Sequence, residues 1–236
     1  MKYMGSKNRI AKEILPIMLK DRGDRTWVEP FVGGANMIDK VDGKRIGADL
    51  NEYLIEALKL IRDKPTEIPE LITENDYQEA RNKKELNGIT GFIGFAMSFG
   101  GKWFGGYRRD FAGTKGCIDN MTTQTRRSKQ NAIQQSKNIQ GVDFISKSYS
   151  DLQIPENSLI YCDPPYEGTT KYKDGFNHGD FWQWCREKAK EGHIVYVSEY
   201  NAPDDFTCVW KKEISNSLSK DNAGKMAIEK LFKYSC

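Results

Sequence analysis

The residues best placed to do chemistry are Asp163-Pro164-Pro165-Tyr166, which follow the apolar run Leu159-Ile160-Tyr161-Cys162. Such a run reads as a buried strand. Neither proline can donate to a sheet ladder, so the strand must end at Asp163. Open α/β sheets place ligands at strand ends of this kind. The stiff turn fixes the Asp163 carboxylate, the Pro164 carbonyl, the Pro165 ring and the Tyr166 ring relative to one another. The carboxylate and the carbonyl can each accept a hydrogen bond from a planar amino group, and the Tyr166 ring can stack on the base carrying it. Cys162 points to the opposite face of its strand and reads as core.

Other residues that could bind a ligand sit at further turns. Tyr3-Met4-Gly5-Ser6-Lys7 opens the chain, with Lys7 at a helix start after a glycine turn, suited to a carboxylate or phosphate. Ser6 is the expected cap, Ile10, Ile14 and Leu15 the inward face, and Pro16 a kink or restart. Thr26–Glu29 reads as a strand running into Pro30-Phe31-Val32-Gly33-Gly34-Ala35-Asn36, a turn that lets backbone approach a ligand closely. It lacks the GxGxxG spacing of a dinucleotide fingerprint, which argues against a nicotinamide-dependent oxidoreductase. Arg45–Ala48 forms the next expected strand and ends at Asp49, placed to accept from the hydroxyls of a ribose or to cap the following helix, as Asn51 also could.

Between about residues 63 and 140 the alternation of strand and helix stops. Glu74–Leu86, Ile89–Phe99 and Thr122–Gln140 read as helices. Between the last two lies Gly100–Asp110, where Lys102, Trp103, Tyr107, Arg108 and Arg109 interleave cations with aromatics on a glycine frame; Arg126 and Arg127 follow. Cations of this kind contact phosphates and guanine edges, and aromatics can wedge into an opened stack. From Lys102 to Lys137 eight Lys/Arg stand against two acids in a chain of net charge +3, so the remainder is net acidic. The positive charge is concentrated where a nucleic-acid surface would need it. Strands are expected again at Val142–Ile145 and Ile194–Ser198, a helix from Asp180 to about Glu191, and a final hairpin-like pair at Phe206–Trp210 and Ala227–Tyr234. Polar stretches at Glu167–Asn177 and Ser215–Lys225 read as loops.

Those elements predict an α/β, Rossmann-like sheet with helices on both faces. Residues 1–62 and 141–236 would form it, interrupted by a mostly helical insert at 63–140. The 236 residues, 38% hydrophobic and 29% charged, suit a folded globular protein. No apolar run is long enough to span a membrane, and the N-terminus lacks a signal segment, so a cytoplasmic location is expected. Five scattered cysteines and two histidines, with no CxxC pair, give no metal site.

Together YMGSK, EPFVGGAN, ADLN, SYSD and YCDPPY, in that order, resemble the DNA adenine-N6 methyltransferases of the Dam type across nearly the whole chain. The resemblance implies a site-specific methyltransferase fold with S-adenosylmethionine as donor, S-adenosylhomocysteine as product and no metal. It implies donor contacts by Tyr3, Lys7, Phe31, Gly33, Gly34, Asp49 and Asp151, with Asp163 serving both donor and target. Double-stranded DNA is the implied partner, its adenine flipped out, in a bacterial or phage-infected cell. This length leaves no room for an attached nuclease, so a restriction endonuclease at the same site would be a separate chain. The turn carries Ala35 and Asn36 where the family often has a further glycine, and the insert matches only loosely. Cytosine-N4 or RNA-adenine methylation on the same fold remains an alternative, as does a catalytically silent DNA-binding protein.

Overall fold

The computed structural model describes residues 1–109, 118–167, 175–215 and 226–234, except the side chains of 118–123, 215, 226 and 227. Most of the Glu167–Asn177 stretch, all but the first residue of Ser215–Lys225, and Lys115 lie outside the described residues.

The strands are β1 (Thr26–Glu29), β2 (Arg45–Asp49), β3 (Val142–Ser146), β4 (Ser158–Cys162), β5 (Ile194–Glu199), β6 (Phe206–Ser215) and β7 (Met226–Tyr234). They form one sheet in the order β3-β2-β1-β4-β5-β7-β6. The first five are parallel, and β7 inserts antiparallel between β5 and β6. β4 is buried along its full length, which explains its unbroken apolar sequence. The strand order reverses between β1 and β4, and the crevice at such a reversal is where open α/β sheets bind ligands.

Alternate residues of β4 feed two cores. Leu159 and Tyr161 pack with Ile14 and Met18 of α1 (Ala11–Arg22) and Leu54, Ile55 and Leu58 of α2 (Glu52–Asp63). Ile160 and Cys162 pack with Phe181, Trp184 and Cys185 of a helix on the other face, His178–Lys190. Helices therefore cover both faces, as expected.

The segment 63–140 holds α3 (Glu74–Lys83), α4 (Gly88–Ala96) and α5 (Ile118–Asn138); the His178–Lys190 helix is α6. α3 starts in a capping box between Thr73 and Asp76. α4 lies close on α2: a Cβ added at Gly91 would fall 2.0 Å from the Tyr53 carbonyl oxygen. Ile68, Ile72, Tyr77 and Phe92 join the same core as α1 and α2.

Some local expectations hold and others change. α1 continues through Pro16, because the proline and the Lys12 carbonyl it frees lie on the exposed side; Ser6 instead caps a preceding 3-10 turn, Lys7–Arg9. Asn51 caps α2, while the Asp49 carboxylate accepts from the Asn51 and Gly33 amides. α6 starts at His178 rather than Asp180 and is capped by Asn177. β6 and β7 form the expected antiparallel pair but are longer than the sequence suggested, with an irregularity between Cys208 and Trp210.

Candidate functional site

The carboxyl end of β4 brings together residues from four separate stretches. Lys7 Nζ lies 2.9 Å from Asp163 Oδ1 and 3.8 Å from Glu229 Oε2, and only 9% of its side chain is exposed. It also donates to the Gly5 carbonyl and sits 4.4 Å from the centre of the Tyr166 ring. The Tyr166 hydroxyl donates to Glu229 Oε2 at 2.7 Å, and its ring meets the Tyr200 edge at 4.7 Å. Lys7 is thus paired with two carboxylates of the protein itself.

Charge explains the protonation of this cluster. Burial pushes the Asp163 carboxyl up, and Lys7 opposes that push without cancelling it. Burial alone would lower Lys7, but Asp163 and Glu229 outweigh it and the ammonium ends above its ordinary range. Burial, with Asp163 and Glu229 beside it, holds the Tyr166 hydroxyl well above the usual tyrosine range, so it remains a donor.

A second group lies at the ends of β1 and β2. Gly33 adopts φ +50°, which glycine tolerates, and its amide donates to Asp49 Oδ2 at 3.2 Å. Ala35 follows at φ +56°, so the turn keeps a left-handed residue despite carrying a side chain there. Gln135 of α5 steadies it by donating to the Gly34 and Ala35 carbonyls at 3.0 and 3.1 Å. The Tyr3 ring closes over Gly33: an added Cβ there would sit 3.0 Å from it. Burial raises the Asp49 carboxyl to about 6, against the backbone amides that favour its ionised form. Phe31 meets Tyr149 at 5.4 Å and Phe176 at 5.9 Å, and all three rings stay partly exposed. Asp151 is exposed in the turn after β3.

These groups suit a donor with a sulfonium, a ribose and an adenine. The single Lys7 faces two carboxylates, an arrangement that favours a further cation. Asp49 retains lone pairs beyond those used by the two amides. The open aromatic group can receive a flat ring. Among the described residues no cluster of three or more His, Cys, Asp or Glu is placed to hold a metal ion. None of their helices is long and apolar enough to cross a membrane.

The residues expected to contact DNA divide. Trp103 packs against Tyr53 and Phe95 at 4.7 and 4.8 Å, and the Tyr107 hydroxyl donates to the Ile72 carbonyl at 2.7 Å. Arg109 pairs with Glu74. Lys102, Arg126 and Arg127 are exposed, and Arg108 is half-buried. Three further residues stand outside every sequence motif. Glu229 is a lone acid in an otherwise apolar and basic strand. Glu199 follows the β5 apolar run, accepts from the Glu167 and Tyr200 amides at 3.1 and 2.6 Å, and is raised by burial to about 7. Phe99 precedes the glycine frame and is 73% exposed.

The acid–Pro–Pro–Tyr turn follows β4 and the glycine turn follows its parallel neighbour β1, so both lie at the sheet reversal of an α/β fold. The family model of the D12 class N6 adenine-specific DNA methyltransferases matches residues 3–91 and 104–220, and the chain belongs to that family. The type II methyltransferase M.FokI of Planomicrobium okeanokoites is 26% identical over 208 residues, which cover 79% of this chain. The chain spans 31% of the length of that relative. In structure it aligns with yhhF, a candidate methyltransferase of Escherichia coli, at a TM-score of 0.42 and 8% identity, covering 99% of this chain and 89% of that one. It aligns with the candidate methylase HI0767 of Haemophilus influenzae at 0.38 and 10%, covering 98% and 91%.

Proposed function

We propose that this protein methylates the N6 amine of a flipped-out adenine at a specific site in double-stranded DNA. S-adenosylmethionine, when bound, supplies an electrophilic methyl group. Tyr3, Lys7, Phe31, Gly33, Gly34, Asp49 and Asp151 would hold it, with Asp163 shared between donor and target. The observation that carries the reading is the half-buried Asp163 carboxylate held by Lys7 beside Tyr166 at the sheet reversal.

The chemistry follows from the amine. Its lone pair is delocalised into the adenine ring and is weakly nucleophilic. Asp163 and the Pro164 carbonyl accept its two hydrogens, which turns the lone pair out of the ring system. Positive charge then grows on nitrogen, and the fixed carboxylate stabilises it without reorganising. The amine is unreachable inside a duplex, so the base must leave the stack at a cost of a few kcal/mol. Tyr166 recovers about 1–3 kcal/mol of that by stacking. Pro165 keeps the turn rigid.

Residues 63–140 are read as the target-recognition segment of this enzyme. Its exposed cations Lys102, Arg126 and Arg127 suit phosphate contacts, and Arg108 and Arg109 flank them. Trp103 and Tyr107 act by holding the loop; the exposed Phe99 offers the apolar surface that can enter an opened stack. The family and the lack of a spanning helix among the described residues support a cytoplasmic bacterial enzyme. Likeness to a type II methyltransferase supports pairing with a separate restriction endonuclease at the same site.

The test is nucleoside analysis of duplex DNA incubated with protein and methyl-labelled donor. Label in N6-methyl-2′-deoxyadenosine bears the reading out. Label in N4-methylcytosine, label only with RNA, or none at all overturns it.

A further inference from the structure

Glu229 lies far from every sequence motif of the site, yet it touches two of the site's residues. β5 pairs with β7 only from Lys230 to Lys233, so Met226–Glu229 runs on past the carboxyl end of β5 with β6 as its partner. This extension carries Glu229 to the mouth of the crevice. Its carboxylate is 7% exposed, accepts the Tyr166 hydroxyl at 2.7 Å and lies 3.8 Å from Lys7 Nζ. A stacking ring needs only its face, so a buried carboxylate on its hydroxyl has no part in stacking itself. It does fix the ring's direction. The Tyr200 edge bounds the ring at 4.7 Å, and Lys7 sits over it at 4.4 Å. Asp163 is also a hydrogen-bond partner of Tyr166 and of Lys7, the same oxygens the target amine requires.

We infer that Glu229 is a positioning residue of the base pocket: it anchors the Tyr166 hydroxyl and shares Lys7 with Asp163, which fixes the ring beside the Asp163 carboxylate. The inference rests on the methyltransferase reading above. It makes the terminal strand pair a working wall of the site and predicts that Tyr166 and Glu229 act as one unit.

The experiment compares Glu229→Ala, Glu229→Gln, Tyr166→Phe and the Tyr166→Phe/Glu229→Ala double variant. Four properties are read: kcat on duplex DNA, donor affinity by calorimetry, thermal unfolding, and binding of 2-aminopurine riboside by its fluorescence. Glu229→Ala should lower kcat at least tenfold and weaken riboside binding by a similar factor, with donor affinity within about twofold. Glu229→Gln keeps an acceptor for the hydroxyl and should recover much of the loss. The double variant should be no worse than Glu229→Ala alone, as expected for residues acting together. A kcat within twofold of wild type, effects that multiply in the double variant, or a loss confined to donor affinity or thermal stability would overturn the inference. Should Glu229→Ala fail to fold, a Glu229→Gln variant as impaired as Tyr166→Ala overturns it, and one that recovers much of that loss supports it. A wild type that binds the riboside through Tyr166 and Glu229 but leaves DNA unmethylated would refute the functional reading and keep this one. A wild type that does neither removes both.

Discussion

Lys7→Met removes, among the described residues, the cation paired with Asp163 and Glu229 while keeping nearly the same length of side chain. Lys7 is 9% exposed, 2.9 Å from Asp163 and 3.8 Å from Glu229. Removing one partner of a buried pair costs about 3–5 kcal/mol, because the other charge is left uncompensated. Asp163 can escape part of that by taking up a proton, since burial already holds it above the ordinary carboxylate range. The sign follows from proton counting. Without Lys7, folded Asp163 keeps a proton that the unfolded chain releases near pH 4, so the native state binds more protons and loses stability as pH rises. Each pH unit over which it stays protonated changes the balance by about 1.4 kcal/mol. The variant should therefore be destabilised by about 3–5 kcal/mol at pH 8 and by less at pH 6. Urea unfolding followed by tryptophan fluorescence would show this. With a slope of about 3 kcal/mol per molar for a chain this size, the midpoint should fall by about 1 M at pH 8. A fall below about 0.3 M at pH 8, or equal falls at both pH values, would show that Lys7 does not neutralise a buried carboxylate.

Two other titrating groups give sharper pH signatures. Burial raises Asp49 to about 6, so it is neutral below that pH and loses acceptor strength; donor affinity should weaken toward tenfold per pH unit below 6, and Asp49→Asn should be weak and flat with pH by calorimetry. Burial raises Glu199 to about 7 from an ordinary value of 4.5; its unfolded form ionises first, so it costs the native state increasingly from pH 4.5 to 7. Glu199→Gln should accordingly gain about 2 kcal/mol relative to wild type between pH 5 and 8 in urea unfolding, and a constant difference would contradict this.

The parts of the site that local sequence specifies were legible, and those that depend on distant packing were not. Asp163 could be placed because two prolines must end a strand, and Asp49 because an acid closes the next one. Glu229 could not, because nothing in Met226–Tyr234 says that this strand inserts beside β5 and overruns it. A single acid amid Ile228, Leu231 and Phe232 was the available signal, and it reads equally well as a solvent-facing residue. Trp103 shows the opposite limit. Aromatics among glycines and cations fit a base-reading loop, but Gly94 on α4 makes room for the Trp103 ring, which would lie only 2.2 Å from a Cβ at that position and packs half-buried against Tyr53 and Phe95. Phe99 stays exposed at the start of the Phe99–Gly101 turn, whose two glycines both take positive φ. Pro16 shows that a helix survives a proline when the lost hydrogen bond falls on the wet side.

Everything proposed for the chemistry depends on Asp163 orienting the adenine amine for methyl transfer. The decisive quantity is the single-turnover rate of Asp163→Asn on duplex DNA with saturating donor, beside a check of native thermal unfolding. The side chain keeps its shape but loses the charge that stabilises the developing cation. The rate should fall on the order of 10²–10³-fold or more with the fold intact. A folded variant that methylates adenine within tenfold of the wild-type rate would remove Asp163 from that role.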